Sequence, residues 1–390
     1  MKGGGLVSAA YQRGTWQNDE DQAGEQSLES ESHPLILSRM PNCTRIEIVG
    51  LGLAGACLLR ALAHARFEGE VVVYELASEP AQGASGNPVG IVHPLRSADH
   101  NLGSQFFDLG LATCLRWTEE LGGVSQGWAA FNGVREQEER IGGLSIQQSP
   151  GGWIQPIALV KACLESAQAW FGARLSLHFQ TAAPEQGSAT RVCCSASPKA
   201  LIESGLCLLP VAGQVSWVAA EPDEGPAQVL CGTGYVAPVV QGRLVVGASF
   251  ERESVQVEVT QQGHAENLER LYQLDTDLAQ RVRSRWSQAQ GRASVRWATR
   301  DRLPLIGQPV DLAALKNHPH PQRLSQLHHL PRLERTWLLM GLGSRGLSTA
   351  PLGAEAIVAA LLDLPSPLPS RLADAVDPAR FVLREHRRGA

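Results

Sequence analysis

The residues with the clearest chemistry are three glycines and an acid. Gly50, Gly52 and Gly55 stand in GLGLAG, a G-x-G-x-x-G pattern, and Glu75 follows twenty residues after the last of them. That spacing supplies a tight turn, a close approach of main chain to a pyrophosphate, and close packing of a helix on a strand. The acid can accept hydrogen bonds from both hydroxyls of a ribose. Glycines also serve plain structural turns, so the context decides. Arg45-Ile-Glu-Ile-Val49 alternates as a strand, Ala54, Leu58, Leu59 and Leu62 recur at helical spacing, and Val71-Val-Val-Tyr-Glu75 reads as a second, buried strand. A β-loop-α-β unit of about thirty residues is a mononucleotide-binding unit.

Two further small-residue loops say which dinucleotide. GASGNPVGIVHPLRS (residues 83–97) offers Gly83, Ser85, Gly86, Asn87 and Gly90 with almost no side-chain bulk before Ile91. A flat tricyclic flavin needs main-chain N–H groups at its ring edge and little bulk over its face, and small residues permit that approach. Much later, Gly343, Ser344, Arg345, Gly346 and Leu347 form a second loop that feeds a helix expected to begin near Pro351. A helix N-terminus there would stabilise negative charge on a reduced flavin ring. The competing reading is a pair of ordinary glycine-rich turns. Non-covalently bound FAD is the expectation. His93 follows the first loop and could line the ring's face; a packed, hydrogen-bonded histidine reads equally well.

The elements that must position these residues fit a large chain. At 390 residues, 43% of them hydrophobic and with net charge −5, the chain can hold two packed domains and shows no whole-molecule basic field. No apolar run approaches the ~20 residues of a membrane span. The first 44 residues are acidic, polar and Gly/Ser/Gln-rich, and read as a disordered extension. Met40 directly precedes the first strand, which leaves a start there open. A FAD-binding block is expected over residues 45–210 and again over 334–390, where a basic tail ends the chain. Between them, residues 211–333 read mainly as a substrate domain. There, short runs at 214–217, 228–231, 234–238 and 244–247 suggest an antiparallel sheet, and Leu268, Leu271, Leu278, Val282 and Trp286 form one apolar helix face. Helices are also expected over about 102–121 and from Pro156. Residues 309–333 read as a solvated loop rather than a metal site, despite His318 and His320. The eight cysteines show no zinc or C-x-x-C spacing and read as reduced thiols of a cytoplasmic protein. No metal is expected. The fold class is α/β: a Rossmann-like FAD-binding domain interleaved with an antiparallel-sheet α+β substrate domain.

The fingerprint, the GASGN loop, GGWIQP (151–156), LPVAGQVSW (209–217) and GLGSRGLSTAPLGAE (341–355) resemble the FAD-dependent amino-acid-oxidase superfamily, which includes glycine oxidase. ASGNPVGIVHPLRSADHNLGSQFF (84–107) and PLPSRLADAVDPARFVLREHRR (367–388) resemble more closely the oxidoreductase half of the bifunctional enzymes that make 5-methylaminomethyl-2-thiouridine at the tRNA wobble position. The resemblance runs from about Arg45 to Arg388. It implies oxidation of the glycine-like arm of 5-carboxymethylaminomethyluridine to an imine, whose hydrolysis releases glyoxylate and leaves 5-aminomethyluridine. It implies oxygen as reoxidant and a cytoplasmic setting.

The resemblance also places Arg296, in SVRWATRDRLPLIG (294–307), at the position that holds the substrate carboxylate in glycine oxidases, with Arg345 as second choice. A fork-shaped cation suits a carboxylate; the bland reading of either arginine is a salt bridge. Arg380, Arg384, Arg387 and Arg388 are the one basic cluster for tRNA, or simply a solvated face. Two features depart from the pattern. Ala212 stands where the family often has arginine, and Cys193-Cys194-Ser195-Ala196 replaces a small Ala/Gly run. The family's methyltransferase half exceeds the 44 residues ahead of Arg45, so methylation is expected from another protein or not at all. Two other functions remain open: oxidation of a free amine such as glycine or sarcosine, and a silent flavin-binding subunit. Oligomeric state stays open.

Overall fold

The computed structural model describes residues 43–140, 143–195, 205–255, 257–319, 324 and 326–389. The expected acidic extension lies outside these except for Cys43 and Thr44, and so does His320. Two main sheets and one small one carry the fold. The first has six strands in the order Leu305–Gly307, Thr336–Met340, Thr190–Cys193, Arg45–Val49, Glu70–Tyr74 and Leu175–His178. All its pairings are parallel except the edge pair Leu305–Gly307 with Thr336–Met340. A parallel sheet is covered on both faces, and Ile46, Ile48, Val71 and Val192 are accordingly fully buried.

Helix Leu53–His64 packs against Pro156–Phe171 and Gly346–Leu361, and Leu102–Glu120 also packs on Gly346–Leu361. Leu58, Leu59, Leu62, Phe106 and Trp117 join the sheet in one core. Pro156 takes the first turn of its helix, where its missing N–H costs nothing.

The second sheet has eight strands built around Leu209–Ala219, which pairs with Gln290–Ala298 along one edge and with Arg243–Gly247 and Glu251–Arg252 along the other. Its pairings are antiparallel but for Val229–Cys231 on Val134–Arg140. Val218, Leu244, Val246, Leu271, Leu278, Val282 and Trp286 fill the space between it and its helices.

The single helix suggested by Leu268 to Trp286 is three pieces: Gln261–Leu274, Thr276–Val282 and a 3-10 turn Arg283–Gln288. Asp275 breaks the run. Its N–H closes the first helix on the Leu271 carbonyl (2.8 Å), while its Oδ1 accepts from Leu278 N–H (2.9 Å) and caps the second.

The chain crosses between layers repeatedly. Val134–Arg140 and Gly143–Ser149 pair in the eight-stranded sheet, whereas Leu305–Gly307 lies at the edge of the six-stranded one. The late helix starts at Gly346, a turn before Pro351, because the Ser348 and Thr349 hydroxyls donate to the Arg345 carbonyl and close that turn. Within the stretch read as loop, Leu312–Lys316 is a short helix capped by Asp311, whose Oδ1 accepts from Ala314 N–H (2.9 Å). None of the eight cysteines is in a disulfide. Among the described residues no helix is long and apolar enough to cross a membrane, and no cluster of three metal-ligating side chains occurs.

Candidate functional site

A cavity of about 1100 Å³ runs along the C-terminal edge of the parallel sheet into the second sheet. Gly50, Gly52, Glu75, Ser85, Asn87, Gly90, His93, Arg296, Gly343, Ser344, Arg345, Gly346 and Leu347 all border it. Gly55 and Gly86 do not. A Cβ at Gly55 would collide with the Gly50 carbonyl, so Gly55 lets the helix close onto the turn. A Cβ at Gly86 would meet the Arg292 guanidinium and the Ala81 carbonyl, so its smallness also serves packing.

At one end the main chain is the reagent. Gly50 turns with φ +100°, a left-handed value that suits glycine. Helix Leu53–His64 then begins with no side-chain cap and no acid in its first turn, so its positive end faces the cavity. Leu53 N–H donates to Ser85 Oγ (2.9 Å), which joins the fingerprint to the second loop. Glu75 is pinned by Leu51 N–H on Oε2 (2.6 Å) and Ala77 N–H on Oε1 (2.9 Å). Each oxygen keeps a lone pair for a hydroxyl.

The middle is held by arginines. Arg292, unforeseen in the sequence, donates to the carbonyls of Gln82 and Gly83 and so ties the strand Gln290–Ala298 to the 83–86 loop. Arg345 Nη1 donates to the His93 carbonyl (2.9 Å), and its guanidinium lies 5.3 Å from the Phe107 ring centroid. Ala298 forms a bridge with Leu342, so the late glycine loop is stitched to the strand that carries Arg296. The late helix, like the first, opens without a side-chain cap or an acid in its first turn. His93 Nδ1 stands 3.4 Å from Glu136 Oε1, and among the described residues neither atom has another polar partner. Burial, and then the Arg345 charge, push the imidazole below its usual value, with Glu136 opposing. Glu136 has no sequence signal; it sits in the polar strand VREQEER.

At the far end side chains converge. Arg296 has no carboxylate partner among the described residues; its guanidinium lies 5.7 Å from the Phe250 ring centroid. Burial depresses its pKa, yet a guanidinium keeps its charge. It lies over Gly213, where a Cβ would strike its Nη2 and the Ser249 carbonyl. Tyr235 borders the same cavity near Arg296. Burial pushes its phenol up to about 12, the nearby Arg296 charge opposing, so it remains a donor. Cys231, also on the wall, is pushed up to about 12 by burial and stays a thiol. Gly213, Tyr235 and Phe250 were not singled out as site residues in the sequence because a lone glycine or aromatic carries no spacing signal.

The basic tail is less free than its sequence reads. Arg380, buried, donates to Asp301 through Nε and Nη2 (both 3.0 Å), and Arg384 Nη1 reaches the same carboxylate at 2.8 Å. Burial would raise the Asp301 pKa, but these arginines and Thr299 bring it below the ordinary value. The side chains of Arg387 and Arg388 lie outside the described ones.

Two uncapped helix ends, an acid with lone pairs to spare and a wall of small residues fit a dinucleotide with a flat ring. The model of the FAD dependent oxidoreductase family matches residues 45–134 and 130–360. Among curated proteins, the tRNA 5-methylaminomethyl-2-thiouridine biosynthesis bifunctional protein of Burkholderia multivorans is 31% identical over 87% of this chain and 59% of its own length. Its counterpart in Paraburkholderia phytofirmans is 30% identical over 88% and 60%. The chain thus spans about three fifths of the curated relatives it matches. Among solved structures, glycine oxidase from Geobacillus kaustophilus superposes with a TM-score of 0.63 at 18% identity, covering 86% of this chain and 99% of that one. L-proline dehydrogenase from P. horikoshii gives 0.64 at 13%, covering 88% and 98%. Because the match takes in the strands of both large sheets, and not the nucleotide-binding half alone, the chain belongs to the FAD dependent oxidoreductase family, with FAD as its cofactor.

Proposed function

We propose that this chain removes the carboxymethyl group of 5-carboxymethylaminomethyl(-2-thio)uridine at the tRNA wobble position, giving 5-aminomethyl(-2-thio)uridine and glyoxylate. The observation that carries the reading is Arg296: a half-buried cation on the cavity wall, with no carboxylate partner among the described residues, near the protonated phenol of Tyr235. A buried charge without a partner is costly, and an incoming carboxylate supplies one. The names of the curated relatives point to the tRNA arm as the source of that carboxylate.

The residues divide the work. The turn at Gly50 would let the pyrophosphate approach, the N–H groups of Gly52 and Ala54 at the start of the helix would hold it, and Glu75 would hold the ribose. Ser85, Asn87, Gly90 and residues 343–347 would border the ring. Arg296 and Tyr235 would fix the carboxylate, which orients the adjacent C–H bond. The arm's nitrogen must be neutral to react, and the His93–Glu136 pair, on the same cavity wall, would take its proton. The one thing asked of bound FAD is to accept the hydride of that C–H bond. Arg345 adds positive charge where the late helix also favours anions. The resulting imine, R–N=CH–COO⁻, takes up one water and separates into R–NH₂ and glyoxylate. A tRNA substrate implies a cytoplasmic enzyme, and the freed amine is the acceptor that a separate methyltransferase would need.

Nucleoside analysis of tRNA from a strain lacking the gene tests this. The carboxymethylaminomethyl nucleoside should accumulate. An unchanged nucleoside profile, together with flavin bleaching by free glycine or sarcosine and none by hypomodified tRNA, would replace the reading with a small-amine oxidase. Bound FAD that neither substrate class reduces would leave only a flavin-binding subunit.

A further inference from the structure

We infer that Phe250, flanked by Arg252 and Arg296, is a stacking platform for the pyrimidine base that carries the oxidised arm. The inference rests on the tRNA reading above and adds the surface on which the base would lie. Large apolar side chains are often exposed singly without meaning. Phe250 differs because it is 53% exposed and is also part of the cavity wall, so it stands at the mouth.

The ring is not on a loose loop. Ser249 N–H donates to the Gln214 carbonyl (3.0 Å), and Gln214 N–H donates back to Ser249 Oγ (2.9 Å). On the other side Glu251 and Arg252 pair with Ala212 and Val211. The backbone is thus held on both flanks. Guanidinium carbons of Arg296 and Arg252 lie 5.7 Å and 5.9 Å from the ring centroid, within cation–π range.

Length then selects the ligand. In the proposed substrate four bonds separate the carboxylate carbon from the pyrimidine ring, about 5 Å when extended. With the carboxylate on Arg296, whose guanidinium carbon is 5.7 Å from the Phe250 ring centroid, an arm of that length can reach the ring. A flat base meets an aromatic face there, with Arg252 close enough for a phosphate. Free glycine or sarcosine has nothing planar to lay on the ring, so an exposed phenylalanine would be wasted on it.

The test uses the FAD-loaded full chain with two probes. One is tRNA carrying 5-carboxymethylaminomethyluridine, read as KM. The other is acetate, which suits the arginine and has no base, read as Kd from the flavin absorption band. Phe250→Leu keeps apolar bulk and removes the π face. It should raise the tRNA KM about five- to 150-fold, the range of base–aromatic stacking, with a much smaller change in the acetate Kd. Phe250→Trp should stay within about threefold of wild type on both. The inference is overturned if Phe250→Leu changes both constants equally, which makes the ring a brace for Arg296 only, or if it changes neither. Loss of tRNA affinity in Phe250→Trp as large as in Phe250→Leu also overturns it. Wild type is measured first: if it oxidises no tRNA, the tRNA reading itself has failed, and the platform falls with it.

Discussion

The two ends of the cavity are built from different materials. At the nucleotide end the reagents are main-chain N–H groups and one carboxylate, all within residues 50–77, and Glu75 is already satisfied by Leu51 and Ala77. At the substrate end Glu136, Tyr235 and Arg296 come from three separate strands and Phe250 from the link between two others, and among the described residues Glu136 Oε1 has no hydrogen-bond partner and Arg296 no carboxylate. The first end holds its acid fixed and leaves helix N–H groups open for a phosphate, and the second waits for a carboxylate at Arg296. Helix N–H groups take any phosphate; side chains that need one matching group give selection, because a ligand lacking it leaves them unpaired.

Removing one residue at each end should therefore break different things. The largest effect is expected for Arg296→Ala. Loss of one partner of a desolvated, hydrogen-bonded charge pair costs about 3 kcal/mol, or roughly a hundredfold in kcat/KM. FAD content should be unchanged, and Arg296→Lys should recover only part, since the planar fork is lost. Steady-state kinetics beside flavin absorbance check this; a variant that also sheds FAD would show that the ends are one unit. Next in size is Glu75→Ala. With its hydrogen bonds to ribose and backbone gone, FAD affinity should weaken by about 2 kcal/mol, some thirtyfold. Titration of the apoprotein with FAD reads it, and kcat at saturating FAD should hold.

The same contrast explains what could be read from the residues in order. The nucleotide end lies within one β-loop-α-β stretch, so its glycines and acid keep their spacing in the sequence. The parallel core was legible too, since buried strands such as EVVVY are continuous apolar runs. The strand VREQEER shows no apolar alternation to mark it, and Glu136 within it carries no motif. Its partner His93 is forty-three residues away, and only the fold makes them neighbours. Arg292 and Gly213 answer to contacts with the 83–86 loop and with Arg296, which no local pattern encodes. The tail misleads for the same reason. Arg380 reads as surface charge until Asp301, seventy-nine residues earlier, is brought beneath it.

The smallest expected effect sharpens the comparison most, because it asks whether the substrate end titrates as a unit. His93 has its pKa lowered by burial and by Arg345, so the neutral imidazole persists to pH values below its ordinary 6.5. Neutral imidazole is the form that can take a proton. Activity that depends on it is present above the lowered pKa and fades as pH falls through it. Glu136 works in the opposite sense and holds that pKa up. Glu136→Gln should therefore move the acid limb of kcat/KM to lower pH, by less than about one unit, while the plateau drops modestly. The substrate's own amine titrates identically with both enzymes, so its contribution cancels in the difference between the two profiles. A limb that stays in place would mean that the proton leaves by another route and that His93 only fills the wall. A limb that moves to higher pH would mean that Glu136 does not hold the His93 pKa up and that another group sets the limb.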